Sequence, residues 1–190
     1  MNQIKLLFLV AILSLSNLGF SQNHVVDPKK SNIQWVGKKI GGEHTGTIQL
    51  QEGSFVLKNN KINSGVFLID MSSIVDTDFQ DAEYRAKLEG HLKSDDFFGV
   101  EKFPTAKLVI TESTEFKNNT ATVKANLTIK GITNPIEFKV SKANLTFKSE
   151  IVVDRSKFDV KYGSKSFFEG LGDKLIYDDF TLLVNIVVVK

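Results

Sequence analysis

The run Ala121-Thr122-Val123-Lys124-Ala125-Asn126-Leu127-Thr128-Ile129-Lys130 carries an apolar residue at every odd position and a polar one at every even position. Successive side chains of a strand point to opposite faces, so this segment is a strand with one buried and one wet face. Ile136, Phe138 and Val140 repeat the pattern on even positions, and Ala143, Leu145, Phe147, Ile151 and Val153 resume it on odd ones. The change of phase predicts a turn or bulge at Ser141-Lys142. Hairpin turns are expected at Lys58-Asn59-Asn60-Lys61, Lys117-Asn118-Asn119-Thr120 and Lys130-Gly131-Ile132-Thr133-Asn134, where Asn and Gly tolerate positive φ. Short turns make sequence neighbours antiparallel. With Ile33 to Ile40, Thr45 to Leu57, Ile62 to Asp70, Thr105 to Phe116 and Phe180 to Val189, the chain offers about eight strands, the number at which a sheet can close into a barrel.

Two strands depart from alternation. Val66-Phe67-Leu68-Ile69 and Leu182 through Val189 are apolar on both faces, which calls for cover on both. A helix, a second layer or a second subunit would supply it, so a homodimer is one expectation. A single short helix is predicted from Asp81 to about Leu92. Tyr84, Leu88 and Leu92 form its apolar stripe, Glu83 with Lys87 and Arg85 with Glu89 form charge pairs, and Thr77 or Asp78 is the expected cap.

Lys5 is followed by the apolar run Leu6 to Leu13 and then by Gly19-Phe20-Ser21, the pattern of a cleavable secretory signal. Residues 1 to 21 are expected to be removed, leaving one domain over 22 to 190 that works in the periplasm or outside the cell. The apolar run is far short of the roughly 20 residues that span a bilayer, so no transmembrane segment is expected in the mature chain. The formal net charge is +2 and the signs interleave along the sequence, which argues against nucleic acid as a partner. Cysteine is absent, excluding disulfides, thiolate metal sites and a cysteine nucleophile, so an exported chain of this kind must rely on its core.

The stretch after the helix, His91-Leu92-Lys93-Ser94-Asp95-Asp96-Phe97-Phe98 followed by Val100-Glu101-Lys102-Phe103-Pro104-Thr105-Ala106, resembles the corresponding passage of the YceI family. Leu127-Thr128-Ile129-Lys130-Gly131-Ile132-Thr133-Asn134-Pro135-Ile136 is similar to the family's late hairpin, and Val153-Asp154-Arg155-Ser156-Lys157-Phe158-Asp159-Val160 to its following strand. His44-Thr45-Gly46-Thr47 with Gly53 looks like its second strand. Gly90 and Gly99 depart from it, standing where acidic residues are common. The resemblance covers roughly residues 25 to 190. It implies a lipocalin-like antiparallel β-barrel, mainly β with one short helix, often dimeric, that holds a polyisoprenoid or other long-chain lipid in an apolar cavity. It implies neither catalysis nor a cofactor.

The residues themselves leave several roles open. His91 near the helix end, Arg155 with its forked guanidinium and His44 are candidates for a ligand head group; an imidazole that caps the corner and an arginine spent on a structural ion pair are the competing roles. Trp35, Phe97, Phe98, Phe158 and Phe167, with Phe168, are large enough to wall a cavity or simply to fill the core. Ser94 or Ser156 with His44 or His91 and a nearby acid is the one catalytic arrangement that the residues leave open. Asp95 and Asp96 are sequence neighbours whose side chains point apart in extended chain, no His-x-x-x-His spacing exists, and neither a phosphate loop nor a nucleophile elbow is present. No metal site is expected, His24 being placed in a frayed terminus. A lipid-acting hydrolase or isomerase and a filled, ligand-free barrel are the alternatives to a lipid carrier.

Overall fold

The computed structural model describes residues 21 to 189; the expected signal peptide falls, but for Ser21, outside the described residues. Nine strands form a single antiparallel sheet: β1 (Ser21–Val25), β2 (Asn32–Lys39), β3 (Gly42–Lys58), β4 (Lys61–Asp76), β5 (Thr105–Ser113), β6 (Thr120–Ile129), β7 (Ile132–Ala143), β8 (Thr146–Asp154) and β9 (Ile176–Val187). From β2 onward each strand pairs with the next, and β2 also pairs with β9, so the sheet closes on itself. β1 lies against Ser54–Lys58 of β3 and β2 against Gly42–Ile48 of the same strand. They therefore occupy one position in the ring, giving the eight expected from the sequence, and closure removes the exposed edges of an open sheet.

Turn chemistry sets the registers. Asn59 and Asn60, Asn118 and Asn119, and Lys130 with Gly131 all have positive φ, the conformation of tight two-residue hairpins. The turn expected at Ser141-Lys142 is displaced. Both residues remain in β7, opposite Lys148 and Phe147, and the chain reverses at Asn144-Leu145 with Asn144 at φ 53°. The asparagine reaches this conformation more readily than serine or lysine. The ladder between β7 and β8 joins only Lys139–Ala143 to Thr146–Glu150, so Ile132–Phe138 pairs with β6 alone. Pro135 sits on this one-sided stretch, in keeping with the confinement of proline to strand edges.

Helix α1 (Ala82–Lys93) is capped by Asp81, whose carboxylate accepts from the Glu83 and Tyr84 N–H groups, and not by Thr77 or Asp78. Its stripe is only partly used. Leu88 and Leu92 are half-buried, whereas Tyr84 is 61% exposed, stacked on Phe79 at 6.1 Å. The two-faced strands keep bare outer faces within this chain, with Val66 41% and Leu183 40% exposed.

The two ends of the barrel differ. At the hairpin end, Phe55, Phe116 and Phe147 form a buried plug, Phe55 and Phe147 meeting edge-on at 4.8 Å. His24, expected at a frayed terminus, instead sits in β1 stacked on Phe55 at 5.0 Å, and burial lowers its pKa. At the other end the connections are longer. The helix and the segment 155 to 175, which begins with a 3-10 turn at Arg155–Phe158, cover the rim.

Candidate functional site

Between these ends lies an apolar cavity of about 210 Å³. Inward positions of the strands make its wall: Ile33 and Trp35 on β2, Phe67 and Ile69 on β4, Leu108 on β5, Ile136 and Phe138 on β7, Phe180, Leu182 and Val184 on β9. Most of these side chains are only half-buried although they point inward, because what faces them is empty space. The helix end contributes Leu92, Phe97 and Phe98. Phe97 is packed at 4.9 Å edge-on against Phe98, which in turn approaches Phe180. An apolar cavity of roughly 150 Å³ already admits a benzene-sized guest, so this lumen has room for part of a larger apolar molecule.

Of the aromatics expected in the wall, Trp35, Phe97 and Phe98 are there. Phe158 and Phe167 are not. Phe158 is wholly buried in the 3-10 turn, away from the lumen, and Phe167 is 41% exposed, with the Lys161 ammonium over its ring at 5.4 Å. Phe168 is exposed as well. Phe67, Phe138 and Phe180 take their place; the parity of their strands points them inward, a signal that was available for Phe138 alongside Ile136 and Val140.

The head-group candidates separate. Arg155 is the one on the cavity lining, 2% exposed, and its guanidinium lies 5.4 Å from the centre of the Phe97 ring. Its N–H groups donate to backbone: Nε to Tyr177 O at 3.2 Å, Nη1 to Val160 O at 2.8 Å and Nη2 to Ile176 O at 3.0 Å. Asp178 Oδ1 stands 3.6 Å from Nη2. Burial would raise the Asp178 carboxyl, but the hydroxyls of Ser164 and Ser166 and the Arg155 charge outweigh it and hold the pKa below the usual value. Arg155 thus ties the segment 155 to 177 across the barrel end. His91 stands outside the lumen, edge-on to Tyr162 at 4.3 Å and to Phe97 at 5.8 Å. In the wall itself, Trp35 Nε1–H is buried and has no protein acceptor. The indole can lie there because Gly46, directly opposite on β3, has no side chain; a Cβ would collide with the ring and with Val75 O.

His44 belongs to a different cluster. It is inward-facing near the rim, its Nδ1 3.1 Å from Asp78 Oδ2, its ring 4.7 Å from that of Phe79. Asp76 lies beside them, buried, its Oδ1 accepting from the Phe79 N–H. Burial and the neighbouring Asp78 carboxyl raise the pKa of Asp76. Asp78, more open, sits below its usual value: the hydrogen bonds it takes from Asp76 and His44 outweigh its own desolvation. The triad is assembled from the start of β3, the last residue of β4 and the loop that follows it, more than thirty positions apart, and no sequence spacing announces it.

Residues 24–188 match the family model of the YceI-like domain. A relative from Shewanella denitrificans, a UPF0312 protein, is 28% identical over 62% of this chain, and the alignment spans 60% of the relative's length. A Pseudomonas aeruginosa UPF0312 protein is 38% identical over 46% of this chain and 43% of its own. Among solved structures, Burkholderia cenocepacia BcnA superposes with a TM-score of 0.65 at 22% identity, covering 86% of this chain and 99% of that one. A polyisoprenoid-binding domain from Saccharophagus degradans gives 0.58 at 12% identity, over 87% and 97%. These likenesses are of fold, and they agree with the eight-position barrel. With the family model matched from His24 to Val188, the chain belongs to the YceI-like domain family.

Proposed function

We propose that this protein is an exported lipid-binding barrel that sequesters or carries a polyisoprenoid or other long-chain amphiphile, its tail in the lumen, in the periplasm or outside the cell. The observation that carries the reading is the apolar cavity, walled by inward side chains that have no protein partner across it. Each buried methylene contributes roughly 0.8 kcal/mol, so about ten would supply roughly 8 kcal/mol before the cost of lost freedom. Tail burial then sets affinity. The lumen wall offers a tail almost no polar atom: the Trp35 N–H is buried within it and the Arg155 guanidinium lies behind Phe97, so a head group would sit at the mouth. The similarity in fold to a domain described as polyisoprenoid-binding supports the same ligand class. Nothing in the site requires bond chemistry, and the reading is one of binding without catalysis.

The bare outer strips around Val66 and Leu183 suit a second copy of the chain, and a dimeric mass by light scattering that falls to the monomer in Val66→Lys or Leu183→Lys would support that pairing. For the lipid, protein purified from its own host should show a stoichiometric mass increment in native mass spectrometry, released by solvent extraction. Leu182→Trp, which fills the lumen, should lower the retained lipid at least tenfold while the fold persists. Repeated preparations without lipid, or a Trp variant that retains it undiminished, would sink the proposal.

A further inference from the structure

At the rim of the barrel, Asp76, Gly46 and Trp35 stand in one row across β4, β3 and β2, with His44 two positions further along β3 toward the rim. Asp76 is 3% exposed, and its buried Oδ2 meets no N–H or hydroxyl donor, only the carboxyl of Asp78, with which it must share a proton or a cation. An unpartnered carboxylate oxygen in such a place costs more than a bonded one, and native proteins leave few. One ligand atom each from His44, Asp76 and Asp78 lie within 4.8 Å of one another. Two ligands bound at about 2.0–2.1 Å to one ion are no more than about 4.2 Å apart, so small side-chain rotations would close the triad on a cation.

The geometry points to a divalent metal site formed by His44 Nδ1 and the carboxylates of Asp76 and Asp78, suited to zinc or a similar transition ion. The donor set explains the choice. One imidazole with two carboxylates matches the nitrogen and oxygen ligands zinc accepts, whereas calcium and magnesium favour all-oxygen shells. Two carboxylates also neutralise a dication inside a partly buried rim. Surrounding bonds already hold the ligands: Glu89 Oε1 accepts the Asp76 N–H at 2.9 Å, the Phe79 N–H holds Asp76 Oδ1 at 2.8 Å, and the Phe79 ring packs on His44. Such second contacts orient ligands in metal sites. Three protein ligands leave a fourth position, and Asp78, half open to solvent, marks the side from which water would fill it. The inference stands on this cluster and not on the lipid reading.

The competing account is a hydrogen-bonded corner that only ties β3 to the loop before α1, and one substitution separates the two. Asn at position 76 would keep the Phe79 bond through its carbonyl oxygen and could donate to Asp78, but it would no longer supply a carboxylate. Untagged full-length protein, stripped with chelator and dialysed against zinc, is measured for bound metal by mass spectrometry of the metal and for affinity by calorimetry. Wild type should hold one equivalent, show the visible bands of a low-coordinate site with cobalt(II), and melt higher with zinc. Asp76→Asn should melt at or above the metal-free wild type and bind at least about tenfold more weakly. His44→Gln provides the same comparison through the nitrogen ligand. A wild type that retains no zinc above a bovine-albumin-free buffer blank, or an Asp76→Asn protein that binds as tightly as wild type, overturns the site.

Discussion

The two ends of this barrel solve closure in opposite ways. The hairpin end is stopped by hydrocarbon: Phe55, Phe116 and Phe147, short asparagine turns, and the His24 ring stacked inside. The other end is stopped by polar connections, with Arg155 holding three backbone carbonyls and the His44, Asp76 and Asp78 cluster gathered at the rim. Aromatic plugging needs no directional partner and leaves nothing for a ligand to read. Polar closure leaves fixed charges and an unpaired indole N–H, so the polar groups nearest the lumen gather at the end with the less regular chain.

If the polar end depends on Arg155, removing it should have the largest effect. Arg155→Ala strands Asp178 and three carbonyls in a buried place and should cost about 3–5 kcal/mol of stability in urea unfolding. A loss below about 1 kcal/mol would mean that the segment 155 to 177 is held by its other contacts. Phe147→Ala opens a cavity in the plug and should cost about 3–5 kcal/mol, the usual range for a core phenylalanine. Phe138→Ala in the lumen wall should cost clearly less, because that ring is only half-buried whereas Phe147, which also borders the lumen, is buried. Equal losses at 138 and 147 would show that the lumen is packed as tightly as the plug.

This contrast also separates what the sequence makes legible from what it does not. Alternation in residues 121 to 130 and the Asn-Asn pairs were sufficient for strands, turns and closure, because period two and positive φ are local properties. The turn at Asn144-Leu145 was misplaced onto Ser141-Lys142 because the hydrophobic phase changes over a whole hairpin and marks no single residue. Inward aromatics could be read only where strand parity holds. Phe158 and Phe167 lie beyond the end of β8, where no period constrains the direction of a side chain. Arg155 and the rim triad were opaque for a different reason. Their partners come from residues 160, 176 and 177, and from 76 and 78, and such long-range bonds leave no local pattern.

Where the wall meets the polar rim, Gly46 is the test of how tightly the two regions are joined. Its missing side chain lets the Trp35 indole lie against β3 and lets the Val75 carbonyl approach. Gly46→Ala forces a carbon into both and should cost about 1–3 kcal/mol, with a shift in tryptophan fluorescence as Trp35, the single tryptophan, is displaced. A variant with unchanged emission and stability would show that the rim can give way without disturbing the lumen.

The smallest expected effect distinguishes the ends by pH. Asp178 has a folded-state pKa below the usual aspartate value of 3.8, since its serine hydrogen bonds and the Arg155 charge overcome desolvation. A depressed carboxyl binds protons more weakly in the folded than in the unfolded chain, so its stabilisation is complete above 3.8 and is lost as pH falls through the lower folded value. Arg155 stays charged across this range, burial lowering its pKa from a very high starting point. The urea midpoint of wild type should therefore decline on acidification below pH 3.8, and Asp178→Asn should decline less over the same interval, having lost that proton-linked contribution. Phe147→Ala, which removes a ring far from Asp178 and carries no titrating group, should keep the wild-type acid slope. Were Phe147→Ala to flatten that slope as much as Asp178→Asn does, the pH response would belong to the whole barrel and not to its polar end.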